Sequence, residues 1–187
     1  MEEMTDNGTA PETPLPEVKE TKDSVWKDLF RLLLKAAALA AIIWALFTYV
    51  FGVHIQKGNS MYPFLMDGDL VIYYRREPCV KGDMAAYRSP ETGRVRISRI
   101  AVTGKHEVQV TTPGELIVDG TVPEEKVFYP TKPLEGSLIT YPYQMEEGDI
   151  FLLDDHREEG RDSRIFGAVK QEEILGKVVY LFRRRGF

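Results

Sequence analysis

The pattern of hydrophobic and polar positions divides the chain into three stretches. Residues 1–24, "MEEMTDNGTAPETPLPEVKETKDS", carry few large apolar side chains. Such a segment cannot bury enough surface to offset its ordering entropy, and it is read as a disordered tail. From Ala36 to Val53 the chain then runs 18 residues without a charge, inside "VWKDLFRLLLKAAALAAIIWALFTYVFGVH" (25–54). A helix of that length spans about 27 Å, near the thickness of a bilayer core. Trp44 lies within the run and Tyr49 near its far end, where interfacial aromatics concentrate. A cleaved secretory signal is the competing reading. The late start of the run and the lack of a small-x-small site in "FGVHIQKGNS" argue against it. The pattern predicts a retained transmembrane helix with its flanks in 25–54.

Beyond that point the period shortens. "LVIYYR", "MAAYR", "VRISRIAV", "EVQVTT", "ELIVDG", "DIFLLD" and "KVVYLF" are short β-branched or aromatic runs, separated by turn signals such as "KGD", "SPETG" and "EEGD". The one helical pattern outside the apolar run is short, around "AVKQEEIL". Many short strands in so small a domain predict an antiparallel sheet system or partial barrel, so the fold class is mainly β over residues 55–187.

Charge narrows the partners. The net charge of the 187-residue chain is −5, and the first 24 residues hold seven acids and two lysines, so the tail carries the whole excess. The near-neutral remainder offers no basic domain for nucleic acid. Cys79 is the only cysteine, which excludes an intrachain disulfide and a multi-cysteine metal site. No metal and no other cofactor is expected. Lys27, Arg31 and Lys35 precede the apolar run, whereas only Lys57 follows it closely, soon joined by Asp67 and Asp69. The positive-inside rule then predicts a single-pass protein of the cell membrane, with the N-terminus cytoplasmic and residues 55–187 extracytoplasmic. The lipid bilayer is therefore an expected partner.

Ser60, in "GNSMYP", is either a turn residue or a nucleophile. A nucleophilic serine needs a neighbour to take its proton. Three stretches stand in order behind the apolar run: "NSMYPFLMDGDLV", "GDMAAYRSPETGRVRISRIAV" and "LLDDHREEGRDSRIFGAV". In these, the chain resembles the type I signal peptidases, membrane-anchored serine endopeptidases. The family nucleophile lies in a Ser-Met-x-Pro motif, matched by Ser60-Met61-Tyr62-Pro63. Gly68-Asp69-Leu70-Val71 and Gly82-Asp83-Met84 fit the Gly-Asp and apolar residues that follow. The late box reads Gly-Asp-Asn-Arg, then Ser-x-Asp-Ser-Arg, then Phe-Gly. Asp155, Arg157, Asp162, Ser163, Arg164, Phe166 and Gly167 match it, while Asp154, His156 and Gly160 depart from it.

The resemblance covers about residues 30 to 180. It implies an antiparallel β core with a small β insertion, here residues 104–146, and "ELIVDG" matches a common turn of that insertion. Ser60 would be the nucleophile. The family base is a lysine kept neutral by apolar surroundings, and its position, aligned on Arg99-Ile100-Ala101, is Ser98. A serine hydroxyl is no general base at neutral pH. Strand alternation puts Arg96, Ser98 and Ile100 on one face, and arginine stays protonated. Other acceptors are His156, oriented by Asp155 or Asp162, and Lys105; surface positions are the alternative for both. His54 and His106 are expected to be solvated. Lys57, Lys81, Lys126, Lys132, Lys170 and Lys177 cannot be ranked from sequence.

Asp162 and Arg164 are expected to pair and hold the last box, with Asp155 supporting it. Ser163 orients the lysine in relatives. Gly58 carries no hydroxyl, so an oxyanion hole would use backbone N–H groups, including that of Ser60. Met61, Tyr62, Pro63 and Phe64 are expected to be exposed near the membrane, with Met61 and Pro63 at the substrate; core packing is the alternative for Phe64 and Leu65. The resemblance implies a serine endopeptidase that removes N-terminal signal peptides of exported preproteins after small residues held in shallow apolar pockets. The alternative is a catalytically impaired accessory protein or chaperone for exported or pilus-type subunits.

Overall fold

The structure is a computed structural model that describes residues 22–124 and 128–183. The predicted disordered tail, residues 1–24, lies outside the described residues except for its last three, which begin helix α1 (Lys22–Tyr49, 28 residues). Two compact units divide within this helix, one ending at Ile42 and the other running Ile43–Phe187. Leucine and alanine dominate α1 and no glycine or proline interrupts it, so propensity and length favour the same state. Val25–Tyr49 is long and apolar enough to cross a membrane, and Leu32, Leu39, Ile42 and Trp44 are all exposed on it.

The uncharged run does not stay helical to its end. Phe51–Ile55 forms strand β1 instead, paired antiparallel with β2 (Leu70–Tyr74). Gly52 makes this pairing possible: a Cβ there would lie 2.1 Å from the Tyr73 ring. The globular unit continues with β3 (Met84–Arg88), β4 (Val95–Thr103), β5 (Glu107–Val110), β6 (Leu116–Val118), β7 (Tyr143–Gln144), β8 (Asp149–Leu153), the short helix α2 (Ser163–Phe166), β9 (Val169–Lys170) and β10 (Ile174–Phe182). A seven-stranded sheet has the order β1-β2-β10-β3-β4-β8-β9 and a three-stranded sheet the order β6-β5-β7, all pairs antiparallel. The mainly β expectation thus holds, with an N-terminal apolar helix.

The helix expected around "AVKQEEIL" does not form. Val169 and Lys170 pair with β8, residues 171–173 make a single 3-10 turn, and Ile174 starts β10. Gln171, Glu172 and Glu173 favour helix for only one turn. Ile174, Leu175 and Val178 are then drawn into the sheet between β2 and β3, and pairing overrides local propensity.

The smaller sheet lies within residues 104–146. After β6 the chain turns at Asp119 and Gly120, with φ values of 49° and 77°, the left-handed pair that closes a tight turn bridged by Val118 and Thr121. In the main sheet, Met61, Leu65, Val71, Tyr73, Ala86 and Ile97 form one apolar cluster. Tyr87, Ile100, Ile150 and Leu152 belong to another, so β4 sends Ile97 and Ile100 to different sides.

Candidate active site

Ser60 sits on the loop that joins β1 to β2. The loop is closed at its neck: Gly68 donates its N–H to the Gln56 carbonyl at 2.9 Å, and Gln56 donates to Asp69 at 2.8 Å. Gly58, at φ 75°, adopts the left-handed conformation that glycine tolerates and donates to the Asp67 carboxylate at 2.7 Å. Asn59 to Leu65 then wind into tight turns, in which the Met61 carbonyl accepts from both Phe64 and Leu65. Met61 is fully buried, contrary to its expected exposure, because its side chain is the plug that seats this loop in the core. Leu65 is buried as well, Pro63 is half-buried, and Tyr62 and Phe64 stay exposed.

The late box docks directly on this loop. His156 donates its backbone N–H to the Ser60 carbonyl at 2.9 Å, and Asp155 N–H points at the Met61 sulfur at 3.4 Å. Arg99, from β4, binds Asp155 through two parallel bonds of 2.8 and 2.7 Å and donates to the Gly82 carbonyl at 2.7 Å. Its guanidinium also lies 4.9 Å from the Phe64 ring centre. One arginine therefore joins all three sequence boxes, with the bidentate geometry that makes arginine specific here. Residues of the insertion touch the same region: Phe128 packs edge-on to Phe64, and Tyr129 lies 4.5 Å from the His156 ring centre.

Asp162 and Arg164 pair as expected. Both are fully buried, with bonds of 2.9 and 2.8 Å between them, and Arg164 also donates to the carbonyls of Lys132 and Arg157. Asp162 caps α2 by accepting from Arg164 N–H and also accepts from Asp154 N–H. Ser163 has a scaffold role: its hydroxyl accepts from Leu152 N–H at 2.9 Å. Among the described residues no hydrogen bond joins it to Ser98.

Ser98 is fully buried and donates its hydroxyl to Asp154, with the Tyr87 hydroxyl 3.4 Å away. Asp154 also accepts from Arg96 at 3.0 Å and from Arg161 N–H at 3.1 Å. Burial raises the Asp154 carboxyl to about 6, helped by Asp162 nearby, while Arg96 and Ser98 oppose the shift. Burial likewise pushes the Tyr87 phenol up. The two departures from the family pattern, Ser98 and Asp154, are thus one contact.

Ser60 itself lines a cleft of about 180 Å³. The cleft is also lined by His54 of β1, Gln56 and Lys57, by Thr92 and Arg94 of the β3–β4 turn, and by residues 95–97 of β4. Ser98 does not line it. His54 was expected to be solvated, but it is half-buried. Burial lowers its pKa, with the positive charges of Lys57 and Arg96 acting in the same direction. The signal missed in the sequence is alternation: Ile55 points out, so His54 and Gln56 turn toward the sheet's other face.

The remaining expected acceptors lie elsewhere. The His156 ring packs between Tyr62 and Tyr129, with Nδ1 3.5 Å from Glu159. His106 pairs with Asp119 in the smaller sheet, and Lys105 sits in the turn after β4. Lys170 binds Glu146 and Asp149, and Lys177 binds Glu77 and Asp83. Lys126 lies outside the described residues. Lys57 is the one lysine among the described residues that lines the cleft.

Known proteins resemble the chain in sequence. The family model described as signal peptidase, peptidase S26, matches residues 26–182. Signal peptidase IB of Staphylococcus aureus is 27% identical over 175 residues, covering 83% of this chain and 90% of that protein. Probable signal peptidase I-1 of Synechocystis sp. is 25% identical over 168 residues, covering 83% and 82%. A crystal structure of a signal peptidase I from Enterococcus faecalis V583 aligns at a TM-score of 0.44 and 24% identity, over 55% of this chain and 98% of that one.

Proposed function

The chain belongs to the signal peptidase S26 family, and from that premise we propose that it is a membrane-anchored serine endopeptidase in which Ser60 attacks the scissile bond of exported preproteins and His54 accepts its proton. The observation that carries this reading is that Ser60 and His54 line the same cleft. A histidine whose pKa is lowered by burial, Lys57 and Arg96 is neutral at pH 7 and free to accept a proton. Attack by Oγ on the peptide carbonyl would form a tetrahedral oxyanion, and the Ser60 backbone N–H is the donor this loop offers to it. The proton held by His54 then passes to the leaving amine. Water, deprotonated by the same imidazole, releases the acyl group from Ser60.

Ser98 takes a different part from the one its alignment suggests. Its proton is committed to Asp154, which contributes to holding β4 against the late box. The fully buried Asp162–Arg164 pair and the Arg99–Asp155 pair support a site still held in shape. The apolar helix supports membrane anchoring, and the charges on either side of it favour a cytoplasmic N-terminus and an extracytoplasmic catalytic unit.

One observation favours the other reading, an accessory protein that binds exported subunits without cutting them: Asp154 and Arg96 fill the surroundings in which the family keeps its lysine. Cleavage of a signal-peptide substrate by the detergent-solubilised full chain separates the two. The peptidase reading expects Ser60→Ala to be inactive and His54→Ala to lose about 10²–10⁴ in rate. Wild type no faster than Ser60→Ala would leave the accessory reading.

A further inference from the structure

Thr92 and Arg94, which line the cleft, belong to the turn of residues 89–94 between β3 and β4. This turn is closed on itself. Ser89 N–H donates to the Arg94 carbonyl at 2.9 Å and Gly93 N–H to the Ser89 carbonyl at 2.8 Å. The Arg88 guanidinium donates to the Gly93 carbonyl at 3.1 Å. Among the hydrogen bonds and ion pairs of the described residues, a single pair ties the turn to anything outside its own hairpin. The Arg161 guanidinium, from the late box, donates to both carboxylate oxygens of Glu91, at 2.7 and 3.4 Å. Arg161 is itself anchored, since its backbone N–H donates to Asp154 Oδ2 at 3.1 Å. The same oxygen accepts from Arg96 at 3.0 Å, and Arg96 lines the cleft from β4. Residue 161 therefore reaches the cleft lining at two points, the turn through Glu91 and the strand through Asp154.

We propose that the Glu91–Arg161 pair is a latch that sets the width of the cleft, and with it the preference for small substrate side chains. The inference rests on the peptidase reading for its substrate, but a size preference in binding stands without catalysis. An extended substrate turns alternate residues to one side, so the residue at the scissile carbonyl and the one two before it are the two that can enter. A turn closed by its own hydrogen bonds moves as a unit, carrying Thr92 and Arg94 with it. With the latch closed, these two residues hold the cleft at about 180 Å³, which suits small side chains. With it open, the turn swings on the ends of β3 and β4 and larger side chains gain room. Neither Glu91 nor Arg161 lines the cleft, so both are positioning residues. The two parallel bonds of an arginine on a carboxylate fix direction as well as distance, which a positional latch requires. The Arg161 side chain is 61% exposed, so the pair adds little to global stability.

The test uses detergent-solubilised full-length Ser60→Ala and fluorescent peptides spanning a signal-peptide cleavage region. One peptide carries alanine at both cleft positions and the other carries leucine at both. Binding is read by anisotropy, and the quantity followed is the ratio of the two affinities. Glu91→Gln should lower the preference for the alanine peptide by about threefold, within the range open to a partly exposed ion pair. Arg161→Gln should lower it equally, and the two changes together should do no more than either alone. The exchanged pair, Glu91→Arg with Arg161→Glu, should restore much of the preference. Equal affinity of the Ser60→Ala protein for both peptides overturns the proposal. So does a Glu91→Gln protein that keeps the full preference, or one that loses affinity for both peptides alike, as a merely structural role would have it. Additive losses from Glu91→Gln and Arg161→Gln also overturn it. Cleavage by the chain with Ser60 intact is measured in parallel. A preference that depends on Glu91 with no cleavage of either peptide sinks the peptidase reading and leaves the latch; cleavage with a preference indifferent to Glu91 does the reverse.

Discussion

The Ser98 hydroxyl donates to the Asp154 carboxylate, and both residues are fully buried. A lysine placed at Ser98 would therefore meet an anion, which holds an ammonium protonated. Ser98→Lys alone is expected to leave a His54→Ala protein inactive. Ser98→Lys with Asp154→Gly in that background removes the anion and leaves Arg96 as a neighbouring cation, which favours neutral lysine. Recovery of at least about tenfold in rate is expected from the double change, read by signal-peptide cleavage. Rescue by Ser98→Lys alone would show that Asp154 does not control the site.

Asp154 should also leave a mark on stability. Its folded pKa is raised from the usual carboxylate range to about 6, so the folded state holds a proton that the unfolded chain has already released. Its contribution to stability falls as pH rises from about 4 to about 6, and the whole penalty is present above that. Asp154→Asn cannot ionise and lacks this slope. Denaturant unfolding at pH 4 and pH 7 should show the variant improving relative to wild type by up to about 2–3 kcal/mol across that interval. A difference that does not change with pH would mean that Arg96 and Ser98 offset the desolvation.

The site was legible in the sequence only in part. Three boxes, their order and the Asp162–Arg164 pair could be read from residue types, because each is local or has a fixed spacing. The meeting of Ser98 with Asp154 could not, since it joins positions 56 apart through the pairing of β4 with β8. His54 was misread for a related reason. Its place beside an apolar run suggested solvent, whereas the pairing of β1 with β2 turned it inward. Met61 was placed outside on the grounds of sequence proximity to the membrane run, yet a loop that returns on itself needs one side chain to hold it down, and Met61 is that one.

The pH dependence of catalysis tests His54 directly. Lys57 and Arg96 face it, and Arg94 lines the same cleft. The acid limb of kcat/KM should lie below the ordinary histidine range of about 6.5, since burial and these cations lower its pKa. Lys57→Met removes one of them and should move that limb upward. An acid limb unmoved by Lys57→Met but abolished in His156→Ala would transfer the role to His156.

Arg164 and Asp162 form the most deeply buried ion pair of the site, with no exposure on either side. Arg164→Met leaves Asp162 without its partner in the interior, which costs about 3–5 kcal/mol. Thermal unfolding should show a large drop in Tm for this variant and a smaller one for Glu91→Gln, whose partner Arg161 is exposed. Equal losses would mean that the buried pair carries no special weight.

The neck of the Ser60 loop has a bearing on insertions and deletions. Ile55 pairs with Leu70, so the two ends of the excursion are fixed to each other by strand register. Removing one residue between them cannot be absorbed by sliding the strands, because a slip of one would turn every buried side chain of β1 or β2 to the wrong face. Side chains along residues 57–67 are free to vary wherever they face solvent. The number of residues is not, and a single-residue indel there should be less well tolerated than most substitutions at the same positions.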